Sequence, residues 1–253
     1  MKTTVTYVGT ATVLIQAGGL NLLTDPAFDH APTAYPTGPV TLRSLVSPAV
    51  EAGDLPVLDA ILLSHDEHPD NLDAAGRALL AGHLVLTTVS GAQRLGDGAV
   101  GLAPWETYEL SGEGGTLRVT ATPGRHAGDV IGFLVHVPGD DDALYISGDT
   151  VYYDELDEIG RRYSVGAAIL HFGAAVVPYF GTDFITMDGD QGARLTRSLD
   201  VRTVVPVHYD AWDHFTQGRE EIVAAFTRAG LDDRLHWPQR GVPTVIDTRP
   251  VCS

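Results

Sequence analysis

The sequence predicts an α/β fold built as one continuous domain, and three observations carry that expectation. The first half is rich in short β-branched and apolar runs bounded by Gly, Pro or Asp, whereas the second half alternates such runs with segments of helical periodicity. At 253 residues with 44% apolar side chains, the chain is long enough to fill a sizeable core. No short-period repeat, low-complexity stretch or linker-like composition divides it.

Taken in order, Thr4 to Gln16 and Leu20 to Thr24 read as the arms of a hairpin turned at Gly18-Gly19, and Asp25-Pro26 stops the second arm. Residues 27–56 hold Pro32, Pro36, Pro39, Pro48 and Pro56 with little periodicity, which predicts an ordered loop lying over something, a lid being one candidate. Asp59 to Ser64 is a short buried-type strand. Leu72 to Leu80 follows as a helix, with Asp70 or Asn71 suited to cap it. Further strands are expected at Leu84 to Thr88, Leu117 to Thr122, Val130 to His136, Ala143 to Ser147, Ala167 to Leu170, Val201 to Val207 and Thr244 to Ile246. Helices are expected at Val151 to Tyr163, Thr186 to Leu199 and Arg219 to Ala229.

Charge and cysteine usage narrow the function classes. Sixteen Lys plus Arg against 33 Asp plus Glu give a formal charge of -17, which repels phosphate backbones and anionic lipid. Nucleic acid and membrane are therefore not expected as partners; a small-molecule substrate is, and oligomeric state is left open. The one cysteine, Cys252, excludes an internal disulfide and a Cys-based zinc knuckle. With no signal-peptide pattern at Met1-Lys2-Thr3 and no apolar run near the roughly 20 residues that span a bilayer, the expected location is cytoplasmic.

Histidine carries the chemistry. Ser64-His65-Asp66-Glu67-His68-Pro69-Asp70-Asn71 packs two imidazoles and three carboxylates into the turn between a buried strand and a helix. A helix cap accounts for one Asp but not for two His, whereas imidazole and carboxylate together suit zinc-like divalent ions. His126, Asp149 and His208 each stand just past an expected strand, where a sheet delivers side chains to a common edge.

At these residues the sequence resembles the metallo-β-lactamase-fold hydrolase superfamily, and especially the branch similar to L-ascorbate-6-phosphate lactonase. Tyr7-Val8-Gly9-Thr10-Ala11-Thr12-Val13-Leu14-Ile15 and Leu22-Leu23-Thr24-Asp25-Pro26 match its opening hairpin, Leu62-Leu63-Ser64-His65-Asp66 its metal loop, and Ser147-Gly148-Asp149-Thr150 the segment carrying its metal-bridging aspartate. His126 and His208 fall where its later histidine ligands belong. The resemblance implies a four-layer αββα sandwich with a metal site on one edge of the paired sheets. It implies Zn2+, one ion or two, and a shared hydroxide that attacks an ester, lactone, amide or phosphoester.

The loop departs from the family's His-x-His-x-Asp-His. It reads His65-x-x-His68-x-Asp70-Asn71, one residue longer, with Asn71 where the last His stands and Glu67 at the spacing of the second. His65, His68 and His126 are expected at the first metal, with Glu67 competing with His68; Asp70, Asp149 and His208 are expected at the second. Asp70 and Asp149 also carry the expected catalytic roles. Asn71 either ligates or caps the next helix, and its neutral amide makes the second site relatively oxygen-rich, suited to Mn2+ or Fe2+. His171 is read as a pocket wall or a core residue, and Tyr209 and His214 as substrate or oxyanion contacts. His30, His83, His136 and His236 have no companions and are read as surface or core. No Gly-x-Ser-x-Gly elbow and no Gly-rich phosphate loop occurs.

The expected function is a metal-dependent hydrolase acting on a small ester or lactone, with a phosphoester less favoured. The alternatives are an iron-dependent redox or isomerising enzyme on the same scaffold, for which an accompanying flavodoxin-like domain is lacking, and an inactive binding module.

Overall fold

The computed structural model describes residues 3–96 and 98–247, so Cys252 lies outside the described residues. The chain opens with β1 (Thr3–Gly9), β2 (Thr12–Ala17) and β3 (Leu20–Thr24), an antiparallel meander. The expected single arm from Thr4 to Gln16 is thus two strands. The apolar pattern runs on through the tight turn between them, where Thr10 takes φ 47°, and no Gly-Gly or Pro marks the reversal.

Next come a separate hairpin of β4 (Thr33–Thr37) and β5 (Val40–Ser44), then β6 (Ala60–Leu62), α1 (Ala74–Leu79), β7 (Val85–Thr88), α2 (Val89–Leu95) and β8 (Ala99–Leu102). β9 (Thr107–Gly112), β10 (Gly115–Pro123), β11 (Ile131–His136) and β12 (Ala143–Ile146) form a second meander. The rest alternates: α3 (Asp157–Arg162), β13 (Val165–His171), α4 (Gly189–Ser198), β14 (Thr203–Val207), α5 (Arg219–Ala229) and β15 (Thr244–Ile246).

One sheet has the order β15-β1-β2-β3-β6-β7-β8, and the other β14-β13-β12-β11-β10-β9. Strand alternation sorts their side chains into three apolar layers. Tyr7, Val13, Ile15, Leu22 and Leu62 of the first sheet meet Phe133, Val135, Ile146, Ile169 and Val205 of the second in a shared core. The opposite faces, Val8, Leu14, Leu23, Ile61 and Val85, pack under Leu72, Leu79 and Leu95. Leu134, Tyr145, Ala168, Leu170 and Val204 likewise pack with Ile159, Leu195, Ile222 and Phe226 of α3, α4 and α5. The result is an αββα sandwich. Among the described residues, no helix is long and apolar enough to cross a membrane.

Several expected elements are shorter than expected or differently bounded. α1 starts at Ala74, not Leu72, and its cap is neither Asp70 nor Asn71 but Asp73, whose carboxylate accepts from Gly76 N–H at 2.7 Å. Leu72 N–H instead bonds the His68 carbonyl, so the preceding residues form a turn belonging to the loop. Residues 151–153 and 186–188 are likewise not helical. The Pro-rich stretch 27–56 contains β4 and β5, Pro36 being tolerated in a ribbon with no third strand to pair. β8 escapes notice because Gly101 interrupts it. A Cβ there would meet Val89 Cα at 2.7 Å, so the glycine is what lets α2 lie against the strand.

Candidate metal centre

Four strand ends and one extended loop deliver the site. β3, β6 and β7 run parallel, as do β12, β13 and β14, so their carboxyl ends share an edge. His65 follows β6, His126 follows β10, Asp149 follows β12, and His208 follows β14. Gly148 turns the chain into Asp149 at φ 60°, and a Cβ there would meet Ile131 O at 2.7 Å and Ser64 Cβ at 2.9 Å. His208 itself takes φ 58°, a strained value for a non-glycine, and its N–H is held by Thr10 O at 2.7 Å.

The loop from His65 to Asp70 divides into an inner and an outer set. Asp66 turns away to pair with Arg94, with Oδ1 2.5 Å from Nη2 and Oδ2 3.0 Å from Nε. Glu67 follows it outward, 3.2 Å from the same guanidinium and 48% exposed. His65, His68 and Asp70 face inward. His65 Nε2 and His126 Nε2 each lie 2.9 Å from His68 Nδ1. Beside this set, His208 Nε2 lies 3.2 Å from Asp70 Oδ2 and 3.2 Å from Asp149 Oδ2. The donor atoms within each set, His65/His68/His126 and Asp70/Asp149/His208, all lie within 4.8 Å of one another.

The outer hydrogen bonds decide which nitrogens point inward bare. His126 Nδ1 lies 2.6 Å from Ile185 O and His208 Nδ1 3.2 Å from Phe172 O. A carbonyl can only accept, so each Nδ1 carries a proton, and in the neutral ring Nε2 is left bare toward the site. His208 Nε2 faces two carboxylate oxygens, a contact that either a proton on that nitrogen or a bound cation bridges. On the other side, a single His68 nitrogen faces two imidazole nitrogens. Nitrogens and carboxylate oxygens converging this closely fit a divalent ion in each set. The spacing also suits ions bonded at about 2.0 to 2.2 Å to imidazole and carboxylate.

Electrostatics say the same. Burial lowers His65 well below its ordinary range, helped by His68 and His126, and burial lowers His126 too, keeping both neutral. Burial would also lower His208, but the Asp149 charge and the Asp70 hydrogen bond outweigh it and push it up to about 9. Burial alone would raise Asp70, yet hydrogen bonds from His208 and His214 hold it well below its usual value. Asp149 is likewise held low against burial, first by the His208 charge and then by the His171 hydrogen bond. Without an ion, a proton on His208 compensates the two buried carboxylates.

Other expected site residues are distributed unevenly. Asn71 is fully buried, and neither its Nδ2 nor its Oδ1 has a hydrogen-bond partner, so it does not cap α1. His171 is fully buried behind the site, with Nδ1 3.1 Å from Asp149 Oδ1. His214 lines the cavity and sets Nε2 3.1 Å from Asp70 Oδ2. Tyr209 is not brought to the cavity: its ring lies against Trp237 at 5.2 Å, because the left-handed turn at His208 sends the next side chain elsewhere. His30 pairs with Glu51 at the surface, His83 Nδ1 meets Leu79 O, and His136 lies against Tyr163.

Sequence reasoning did not single out Asp25 as a site residue. It is fully buried at the end of β3, accepts from Ser64 N–H at 2.7 Å, and is raised well above its usual value by burial. The signal was present, since a carboxylate directly after a buried strand is also what marks Asp149.

A narrow cavity opens on the two sets. Thr37 and Leu42 of the β4–β5 hairpin form one wall, and Ala175, Val177, Ile185 and Thr186 the other. The residues lining it include no Lys or Arg.

The sandwich and its two adjacent donor sets are those of a metal-dependent enzyme, and the chain's relatives make that class the metal-dependent hydrolases. A family model for the β-lactamase superfamily domain matches residues 20–209, well over half of the sequence, and the chain belongs to that family. A metal-dependent hydrolase of Nitratidesulfovibrio vulgaris is 28% identical over 260 aligned positions, covering 98% of this chain and 97% of the relative. Among solved structures, an isothiocyanate hydrolase from Delia radicum gut bacteria is similar at a TM-score of 0.81 and 24% identity, over 96% of this chain and 99% of that one. A possible metal-dependent hydrolase from Veillonella parvula is similar at 0.84 and 19%, over 97% and 100%.

Proposed function

We propose that the chain hydrolyses a small uncharged ester or lactone with water activated at a two-ion centre, His65, His68 and His126 holding one ion and Asp70, Asp149 and His208 the other. The observation that carries this reading is the pair of abutting donor sets, with the Nε2 atoms of His126 and His208 turned inward by the contacts of their Nδ1 atoms with Ile185 O and Phe172 O. When bound, a divalent ion supplies Lewis acidity and lowers the pKa of its water from 15.7 to about 7. Three imidazoles with a free position suit zinc, whereas the oxygen-richer second set also suits manganese or iron.

The chain's own groups do the rest. No Ser or Cys is among the residues lining the cavity, and its two Thr hydroxyls are engaged with Tyr35 O and Ala175 N–H, so an attack by water is favoured over a covalent intermediate. Asp149, whose charge acts on His65, His126 and His208 alike, is positioned to serve both sets. His171 fixes its outer oxygen. Leu42, Val177 and Ile185 exclude water from one side of the substrate, and the lack of a cation in the wall favours a neutral acyl group over a phosphoester. This leaves the lactone end of the range, in line with the lactonase-like branch the motifs resemble.

Elemental analysis of the purified protein, with a panel of phenyl esters, γ-lactones and phosphoesters assayed before and after chelation, tests the proposal. Bound transition metal and ester or lactone turnover that chelation removes and metal restores are expected. Turnover indifferent to chelation, or confined to phosphoesters, would reject it.

A further inference from the structure

Two non-glycine residues far apart in sequence take left-handed backbone conformations and meet at one hydrogen bond. Thr10, in the turn between β1 and β2, has φ 47°, and His208, directly after β14, has φ 58°. His208 N–H donates to Thr10 O at 2.7 Å. For a β-branched residue such as Thr10 this conformation is an outlier, and it persists only where the surroundings hold it.

Trp212 supplies such a hold. Its indole Nε1–H donates to Thr10 Oγ1 at 3.1 Å, and both side chains are buried. The hydroxyl of Thr10 is thus fixed by Trp212 while its carbonyl fixes His208. The indole is fixed in turn by the β4–β5 hairpin. Its ring lies 5.1 Å from that of Tyr35, Leu45 N–H bonds Ala211 O at 2.6 Å on one side of it, and Asp213 N–H bonds Arg43 O at 3.1 Å on the other. The same hairpin puts Thr37 and Leu42 into the cavity wall, so one indole joins that wall to a donor of the second set.

Resting on the two-ion reading above, we propose that Trp212 is a positioning residue for the second ion: through Thr10 it sets the backbone of His208, and with it the aim of the His208 imidazole at Asp70 and Asp149. The first set does not hang on this path, since His126 is held by Ile185 O and His65 and His68 come from another loop. Outer partners of metal ligands govern affinity by about 10- to 100-fold. Loss of the indole N–H should therefore act on one ion and spare the other.

Calorimetric zinc titration of the apoprotein, with turnover and Tm measured alongside, tests this; the second ion is the binding event that His208→Ala removes. Trp212→Phe keeps a ring against Tyr35 and removes the N–H, and Thr10→Val keeps the β-branched shape and removes the acceptor. Each should weaken the second ion about tenfold and leave the first within about twofold. Both changes delete the same bond, so the double variant should be no weaker than either single one. Thr10→Ser retains the hydroxyl and should bind both ions as the wild type does. Equal weakening of both ions, unchanged affinities in the single variants, or losses that add in the double variant would overturn the inference. Wild-type binding in a single step would reject the two-ion reading and this inference with it. The expected split between the ions without ester or lactone turnover would instead reject the hydrolase reading and leave the positioning role standing.

Discussion

The two donor sets stand side by side but are built differently. The first takes three imidazoles from two loops, and His68 and His126 retain some exposure. The second takes two carboxylates and an imidazole that are all buried, and each carboxylate is ringed by histidines: Asp70 by His208 and His214, Asp149 by His208 and His171. The first set brings no carboxylate into the interior. The second buries two, and His208, pushed up to about 9 by the Asp149 charge and the Asp70 hydrogen bond, offsets them with a proton when no ion is present. The difference teaches that the first set is suited to holding an ion tightly, and the second to placing charge where a reaction needs it.

The sharpest way to break that contrast is to remove the charge the two sets share. Asp149→Ala should reduce hydrolysis by more than about 100-fold, the upper end of what even an outer partner of a ligand costs. Asn71→Ala should cost far less, because a neutral amide without partners contributes at most one weak contact. Equal losses in steady-state kinetics at matched metal loading would remove the special position of Asp149.

Metal affinity probes the same asymmetry. The second set has Asn71 where the resembled family supplies a further imidazole, so one ion should survive dialysis against a weak chelator and the other should exchange. Zinc titration of the apoprotein should resolve two events separated by about tenfold or more, the scale on which loss of a coordinating partner acts. Two tight, indistinguishable events would contradict it.

A smaller effect separates scaffold from ligand. Gly148→Ala should lower stability by about 1–3 kcal/mol, since the residue needs φ 60° and a Cβ would press on Ile131 O and Ser64. Thermal unfolding would register this, and an unchanged Tm would mean that the turn into Asp149 relaxes freely.

How much of this the sequence announces depends on the kind of signal. Strands that are continuous apolar runs, such as β11 and β13, and ligand candidates directly after them are legible, because burial on both faces leaves its mark in residue type. β8 is not, since its glycine reads as a break and is there for helix packing. The start of α1 was misplaced because Asp70, Asn71 and Asp73 are all good caps, and only the hydrogen bonds choose among them. His171 and Tyr209 could not be sorted either. A single left-handed residue, His208, decides where the next side chain points, and no neighbouring residue type signals it.

The smallest expected effect concerns Glu67, and it bears most directly on the register of the loop. By spacing alone, Glu67 competes with His68 for the first set. The turn gives Asp66 and Glu67 to the outside, where Arg94 takes both, and brings His68 back within 2.9 Å of His65 and His126. Glu67→Gln therefore removes only a half-exposed ion pair, worth about 0–1 kcal/mol. Metal content should stay the same and kcat/KM should change by no more than about twofold, while His68→Gln should release the first ion. If Glu67→Gln instead lost a metal equivalent, the loop would have to turn the other way when loaded, with the carboxylate inside and the imidazole at Arg94. The first set would then be as charged as the second, and the contrast between them would fail at its root.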